Sequence, residues 1–142
     1  MRGMFTMGIV DVMCEQHVSV DGIVGVSAGA CFGCNYKSHQ PGRALRYNAA
    51  LMGDSRYMGL RNLLRTGNLF DAEFAYHTVP TQIDVFDAAT FAADPTEFHV
   101  VCTDAVTGEP VYKQLTQVDY EALEWIRASS SMPLVSKPVP LA

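Results

Sequence analysis

The pentapeptide Gly25-Val26-Ser27-Ala28-Gly29, a Gly-x-Ser-x-Gly pattern set between an apolar run and a stretch of small residues, constrains this chain more than any other feature. The run before it, Val20 to Val26, is interrupted only by Asp21 and glycines. It reads as a short central strand of a parallel sheet, because such strands are buried on both faces. The stretch after it, Ala28 to about Tyr36, reads as a helix that ends in the polar cluster Lys37-Ser38-His39-Gln40-Pro41-Gly42. The pattern alone is weak, and the strand–turn–helix setting gives it chemical meaning, since a serine on that turn can present its hydroxyl at the top of the sheet. Gly25 and Gly29 are expected to relieve crowding where strand and helix approach, letting Ser27 take a strained backbone conformation. The Ala28 N–H and the start of the helix would then face developing negative charge. A glycine-lined turn whose serine only caps the helix fits the same residues.

The flanking sequence continues the alternation. From Met4 to Gln16 apolar residues occupy almost every face, leaving Asp11 and Glu15 as a polar edge, which predicts a helix buried on most sides. Arg43 to Thr78 reads as helical, with stops at Gly53 and Gly67 and an N-cap at Asp71. Asp87 can cap a short helix through Ala93, and Asp94-Pro95-Thr96 turns the chain. Phe98 to Thr103 is a predicted strand, Thr107-Gly108-Glu109 a turn, Val111 to Leu115 a second strand, and Asp119 caps a helix from Tyr120 to Ala128. Strands alternating with helices imply a layered α/β fold. At 142 residues, 49% hydrophobic and 18% charged, the chain can form one domain over residues 1–142 without disulfide or metal staples.

Several function classes are excluded on charge and composition. A net charge of −5 with scattered lysines and arginines argues against nucleic acid as a partner. The longest nearly uncharged run, Gly22 to Cys34, falls short of the ~20 residues a membrane-crossing helix needs. No secretory signal is apparent, and four irregularly spaced cysteines make no disulfide framework, so reduced thiols in a cytoplasm are expected. Cys31-Phe32-Gly33-Cys34 has metal-ligand spacing but no second pair; it reads as two thiols in a helix against a sheet, with no metal and no cofactor.

A serine hydroxyl needs a base. His39, His77 and His99 follow Ser27, yet each reads better as an ordinary surface or strand residue, since nothing around them resembles a loop that presents a base. Asp104, just after the Phe98 to Thr103 strand, is the best-placed carboxylate, although capping the Thr107-Gly108 turn accounts for it more simply.

Taken together, Arg2-Gly3, the pentapeptide, Thr66-Gly67-Asn68-Leu69-Phe70-Asp71, Thr103-Asp104 with Thr107-Gly108-Glu109-Pro110, and Arg127-Ala128-Ser129-Ser130-Ser131-Met132-Pro133 show that the chain resembles the patatin-like phospholipases, serine acyl hydrolases of lipids. The resemblance implies a layered α/β fold with a mainly parallel central sheet flanked by helices. It also implies a Ser-Asp dyad without histidine, with Ser27 as nucleophile and Arg2, Gly3 and Ala28 at the oxyanion and substrate-binding positions. Asp104 matches a structural position of the family. Only Met1-Arg2-Gly3 of the family's glycine-rich oxyanion loop is present, and the Asp-Gly motif that carries the family's base is not reached. The expectation is therefore a domain incomplete at both ends, with exposed sheet edges and apolar faces. Its expected partner is a lipid or acyl ester, met with or without peripheral membrane contact. The competing expectations are an inactive remnant or acyl-chain-binding module and, third, an acyltransferase.

Overall fold

Two strands far apart in sequence form the centre of the molecule. In the computed structural model, which describes residues 2–141 apart from the Arg2 side chain, β1 (Gly22–Val26) pairs in parallel with β2 (Glu97–Thr103). β2 pairs antiparallel with β3 (Pro110–Gln114), giving the order β1-β2-β3. Along β2 the two-residue period of a strand sends Phe98, Val100 and Cys102 into the core, and the parallel register sets Ile23 and Gly25 of β1 beside Phe98 and Val100. Against this face pack α2 (Ala28–Lys37) and α6 (Tyr120–Ser129). Phe91 of α5 (Ala88–Ala93) meets Phe98 edge-on, with ring centroids 5.6 Å apart. Ala122, Trp125 and Ile126 of α6 complete the core.

The sheet differs from its expected form at β1. The Val20 to Val26 run predicts a central strand buried on both faces, whereas β1 is an edge strand of the described sheet and its outward residues Val24 and Val26 are exposed. The physical reason is the strand period: alternate residues meet α2 while the others face the open side, which also carries exposed Tyr112. Val24, Val26 and Tyr112 leave this face of the sheet apolar and exposed.

A second correction concerns α1 (Arg2–Glu15), which packs on α2 and on α3 (Arg43–Leu51). Among its described side chains only Met7 is buried, while Phe5 is 77% exposed and Ile9 and Val12 are about half exposed. Apolar residues all round a helix define no single stripe, so the composition could not say which side would be covered. The side that meets α2 carries Gly3, where a Cβ would stand 2.8 Å from Phe32 Cε2 and 2.9 Å from Ala28 Cβ.

The middle of the chain is helical as expected, through α3, α4 (Leu60–Thr66) and a π-helix over Phe74–Ile83. Gly67 ends α4 with φ 80°, and Asp71 Oδ1 accepts the Phe74 N–H at 3.1 Å. The helical path continues to Ile83 rather than stopping near Thr78, with Pro80 inside it. Such wide turns are rare and concentrate at functional sites. Asp87 and Asp119 cap α5 and α6 by accepting from Thr90 N–H and Ala122 N–H, both at 2.9 Å.

Core and open face should respond differently to substitution. Phe98→Ala is expected to lower stability by about 3–5 kcal/mol, whereas Val24→Thr on the open face should stay within about 0.5 kcal/mol. Urea denaturation of the two variants beside the parent chain measures both.

Candidate functional site

Ser27 stands between β1 and α2 with φ 54° and ψ −120°, a positive-φ conformation that a non-glycine residue holds at about 1–3 kcal/mol of strain. Two contacts impose it. At Gly25 the strand touches the helix backbone to backbone, since a Cβ there would stand 2.6 Å from Ala30 Cα and 2.8 Å from Ala30 N. On the other side the Ser27 N–H donates to Ser129 Oγ at 2.8 Å, and Ser129 Oγ donates in turn to the Val101 carbonyl at 2.6 Å. One hydroxyl thus ties the turn, the end of α6 and β2 together.

The Ser27 carbonyl accepts from Ala30 and Cys31 N–H, which starts α2, but its side chain makes no capping bond. The reading of Ser27 as a mere helix cap is therefore set aside. Gly29 does not act as expected: a Cβ there meets nothing within 4 Å, so the crowding is relieved by Gly25 alone. Gly29 sits in the first turn of α2 beyond the contact, which the symmetry of the pentapeptide could not reveal.

Ser27, Ala28 and Gly3 line one cavity of about 370 Å³. Ala28 is the first residue of α2, so its N–H lies outside the helix's own hydrogen-bond ladder and is free to serve an anion. Arg2 enters α1 through its backbone, and its side chain lies outside the described residues. The far wall comes from the π-helix, through Tyr76, Val79 and Pro80, and from Leu123 and Ile126 of α6.

The alternative bases are not brought to Ser27. Asp104 Oδ1 accepts the Val106 and Thr107 N–H groups, each at 2.8 Å, and these bonds hold its carboxyl below the usual range; it is a turn cap. His39 pairs with Asp94 at 2.8 Å and His99 with Glu97 at 3.1 Å, both away from the cavity lining. Buried His77 bonds Glu124 at 2.7 Å and stacks on Tyr120. Among the described residues no histidine or carboxylate bonds the Ser27 hydroxyl.

The two thiols of Cys31 and Cys34 also line the cavity. Burial pushes both up, Cys34 to about 12, so both stay protonated near neutral pH. Cys31 Sγ lies 3.1 Å from Ser130 Oγ. Ser129 and Ser130 are the neighbours of the turn and of Cys31 that residue-by-residue reading missed. Their only signal was the unusual serine run itself, which says nothing of the strand or turn it will meet.

The π-helix wall is fixed to α6 by a charged cluster. Glu124 takes hydrogen bonds from His77 and from Arg127 Nε at 2.9 Å. Burial works to raise the Glu124 carboxyl, but the bonds from Arg127 and His77 outweigh it and hold it below its ordinary value.

The family model described as Patatin-like phospholipase matches residues 1–142. No curated protein matches the chain.

Two predictions test this assembly. Ser129→Ala is expected to lower stability by about 1–3 kcal/mol, since it leaves the Ser27 N–H and the Val101 carbonyl without their partner. Gly25→Ala should be at least as damaging because backbone must move, while Gly29→Ala should stay near neutral; chemical denaturation ranks the three. Glu124→Gln should lower the unfolding midpoint at pH 7. A carboxyl held low in the folded state stabilises above its unfolded pKa and loses that contribution as pH falls, so the gap between variant and parent should close through the carboxylate range.

Proposed function

The chain belongs to the patatin-like phospholipase family, and from that premise we propose that it is a lipid acyl hydrolase whose nucleophile is Ser27, the serine of a Ser-Asp dyad. The observation that carries this reading is the strained Ser27, uncapped and lining a largely apolar cavity at the N-terminus of α2. Ser27 Oγ attacks the ester carbonyl carbon as its proton passes to the base. The carbonyl oxygen becomes an oxyanion facing the Ala28 N–H and the start of α1 at Gly3; the family resemblance assigns Arg2 to the same oxyanion and substrate-binding positions. Collapse expels the alcohol and leaves an acyl-serine, which water then hydrolyses, releasing the fatty acid and restoring the hydroxyl. The helix N-terminus favours the charge at each oxyanion stage.

The substrate is a lipid or acyl ester. No helix among the described residues is long and apolar enough to cross a membrane, and exposed Phe5, Ile9 and Val12 of α1 suit peripheral contact with a lipid surface. The four free cysteines suit a reducing cytoplasm. A second reading, an acyl-chain-binding module without turnover, is favoured by one fact: no base among the described residues reaches Ser27.

The two readings part on the chemistry of Ser27. Fluorophosphonate labelling that disappears in Ser27→Ala supports the hydrolase; an unlabelled, folded chain supports the binding module. Ester hydrolysis by these 142 residues alone should be feeble, because absence of general-base help typically removes about 10²–10⁴-fold of rate. His39→Ala, His77→Ala and His99→Ala should each leave any Ser27-dependent turnover within a few-fold, whereas loss of a triad histidine would cost orders of magnitude.

A further inference from the structure

We propose that the outer side of α4 is a docking face for a bilayer surface rich in anionic phospholipid. The proposal rests on the lipid reading of the substrate and not on turnover at Ser27.

Residues 56–65, Arg-Tyr-Met-Gly-Leu-Arg-Asn-Leu-Leu-Arg, hold three of the chain's ten basic residues and no acidic one, in a chain whose net charge is −5. Within α4, buried Asn62 defines the inner side, and its Nδ2 donates to the Ser55 carbonyl at 3.0 Å. Leu60 and Leu64, two positions before and after it, therefore stand on the opposite side of the helix, where they are 73% and 89% exposed. Arg61 and Arg65, four apart, form the neighbouring stripe and are exposed as well. Leucines on the outermost line of a helix with arginines alongside suit the boundary of a membrane, where apolar side chains enter among the acyl chains and cations meet the headgroups.

The cations differ in what already holds them. Arg56 Nη2 lies 2.7 Å from Asp54 Oδ2, and Arg65 lies 3.7 Å from Asp71. Arg61 makes no ion pair among the described residues.

Charge also separates α4 from the other exposed apolar helix. The described side chains of α1 include Phe5, Ile9 and Val12 together with Asp11 and Glu15, and no lysine or arginine. An anionic surface attracts nearby arginines and repels carboxylates, so it selects α4. A second copy of the chain is a poorer occupant, because a helix of seven residues falls well short of the roughly 20–30 residues a side of a stable protein interface.

The docking face and the Ser27 cavity share one segment. Met58 pairs with Phe70 in an antiparallel bridge, and the Gly59 N–H donates to the Leu69 carbonyl at 3.0 Å. Tyr57 and Phe70 line the cavity with their rings edge to face, 5.4 Å apart, while Met58 is half exposed beside Leu60. A lipid surface on α4 thus lies next to a wall of the cavity.

The test is cosedimentation of the chain with vesicles of ether-linked phosphatidylcholine, which resist ester hydrolysis, with and without ether-linked phosphatidylglycerol. Binding is expected on the anionic vesicles, at least about tenfold weaker on the neutral ones, and reduced by added salt. Arg61→Ala should weaken anionic binding about fivefold and Arg61→Glu about 25-fold. Leu64→Ser should weaken it about tenfold or more, and Phe5→Ser should leave the anionic preference in place. Circular dichroism checks that each variant is folded, and should one of the α4 variants not fold, the others decide. No binding, equal binding to both vesicles, or an anionic preference that Phe5→Ser removes and the α4 variants do not would overturn the proposal. So would a Leu64→Ser chain that changes its oligomeric state yet keeps its lipid binding. Fluorophosphonate labelling of Ser27 is read separately. Labelling without vesicle binding keeps the hydrolase reading and sinks the docking face, whereas anionic binding without labelling does the reverse.

Discussion

The contact between β1 and α2 at Gly25 is the constraint from which the site follows. With the strand backbone against Ala30, the turn between them has no room for an ordinary path, and Ser27 is driven to φ 54°. Such a conformation persists only where its surroundings over-determine it. Here the opposing force is the Ser129 hydroxyl, which holds the Ser27 N–H and the Val101 carbonyl at once. Because Val101 belongs to β2 and Ser129 to the end of α6, strain at one residue is distributed over the sheet and two helices. The stability of the core and the geometry of the Ser27 turn are for this reason a single property.

The same arrangement sets how the hydroxyls and thiols of the cavity differ. Four serine and cysteine side chains line it: the Ser27 and Ser130 hydroxyls and the Cys31 and Cys34 thiols. Burial keeps the thiols protonated, and each is engaged, Cys31 with Ser130 and Cys34 with the Cys31 carbonyl. Ser27 alone combines a helix N-terminus, an uncapped side chain and the neighbouring Ala28 N–H. The cavity's opposite wall owes its position to the His77, Glu124 and Arg127 cluster, which fastens the π-helix to α6. Histidine here serves architecture: His77 is buried against a carboxylate and a tyrosine ring and is not among the residues lining the cavity.

The sequence by itself determined whatever depends on near neighbours. The caps at Asp71, Asp87 and Asp119, the Asp104 turn, the stop at Gly67 and the strand–turn–helix around Ser27 were all legible, because each is a contest between a side chain and backbone groups two or three residues away. The strand β2 was legible for the same reason, its residue types being a property of the chain alone. Tertiary structure decided what covers what. Apolar residues at Val24, Val26, Phe5 and Ile9 announce that a surface can be buried, but burial needs a partner, and these lack one among the described residues. The Ser129 bridge, the pairing of β1 with β2 and the bond of buried Arg43 to the Asp84 carbonyl each join residues separated by long stretches of chain. No local pattern encodes such meetings, because a residue's propensity is fixed by its own chemistry, whereas its partner is fixed by the packing of the whole.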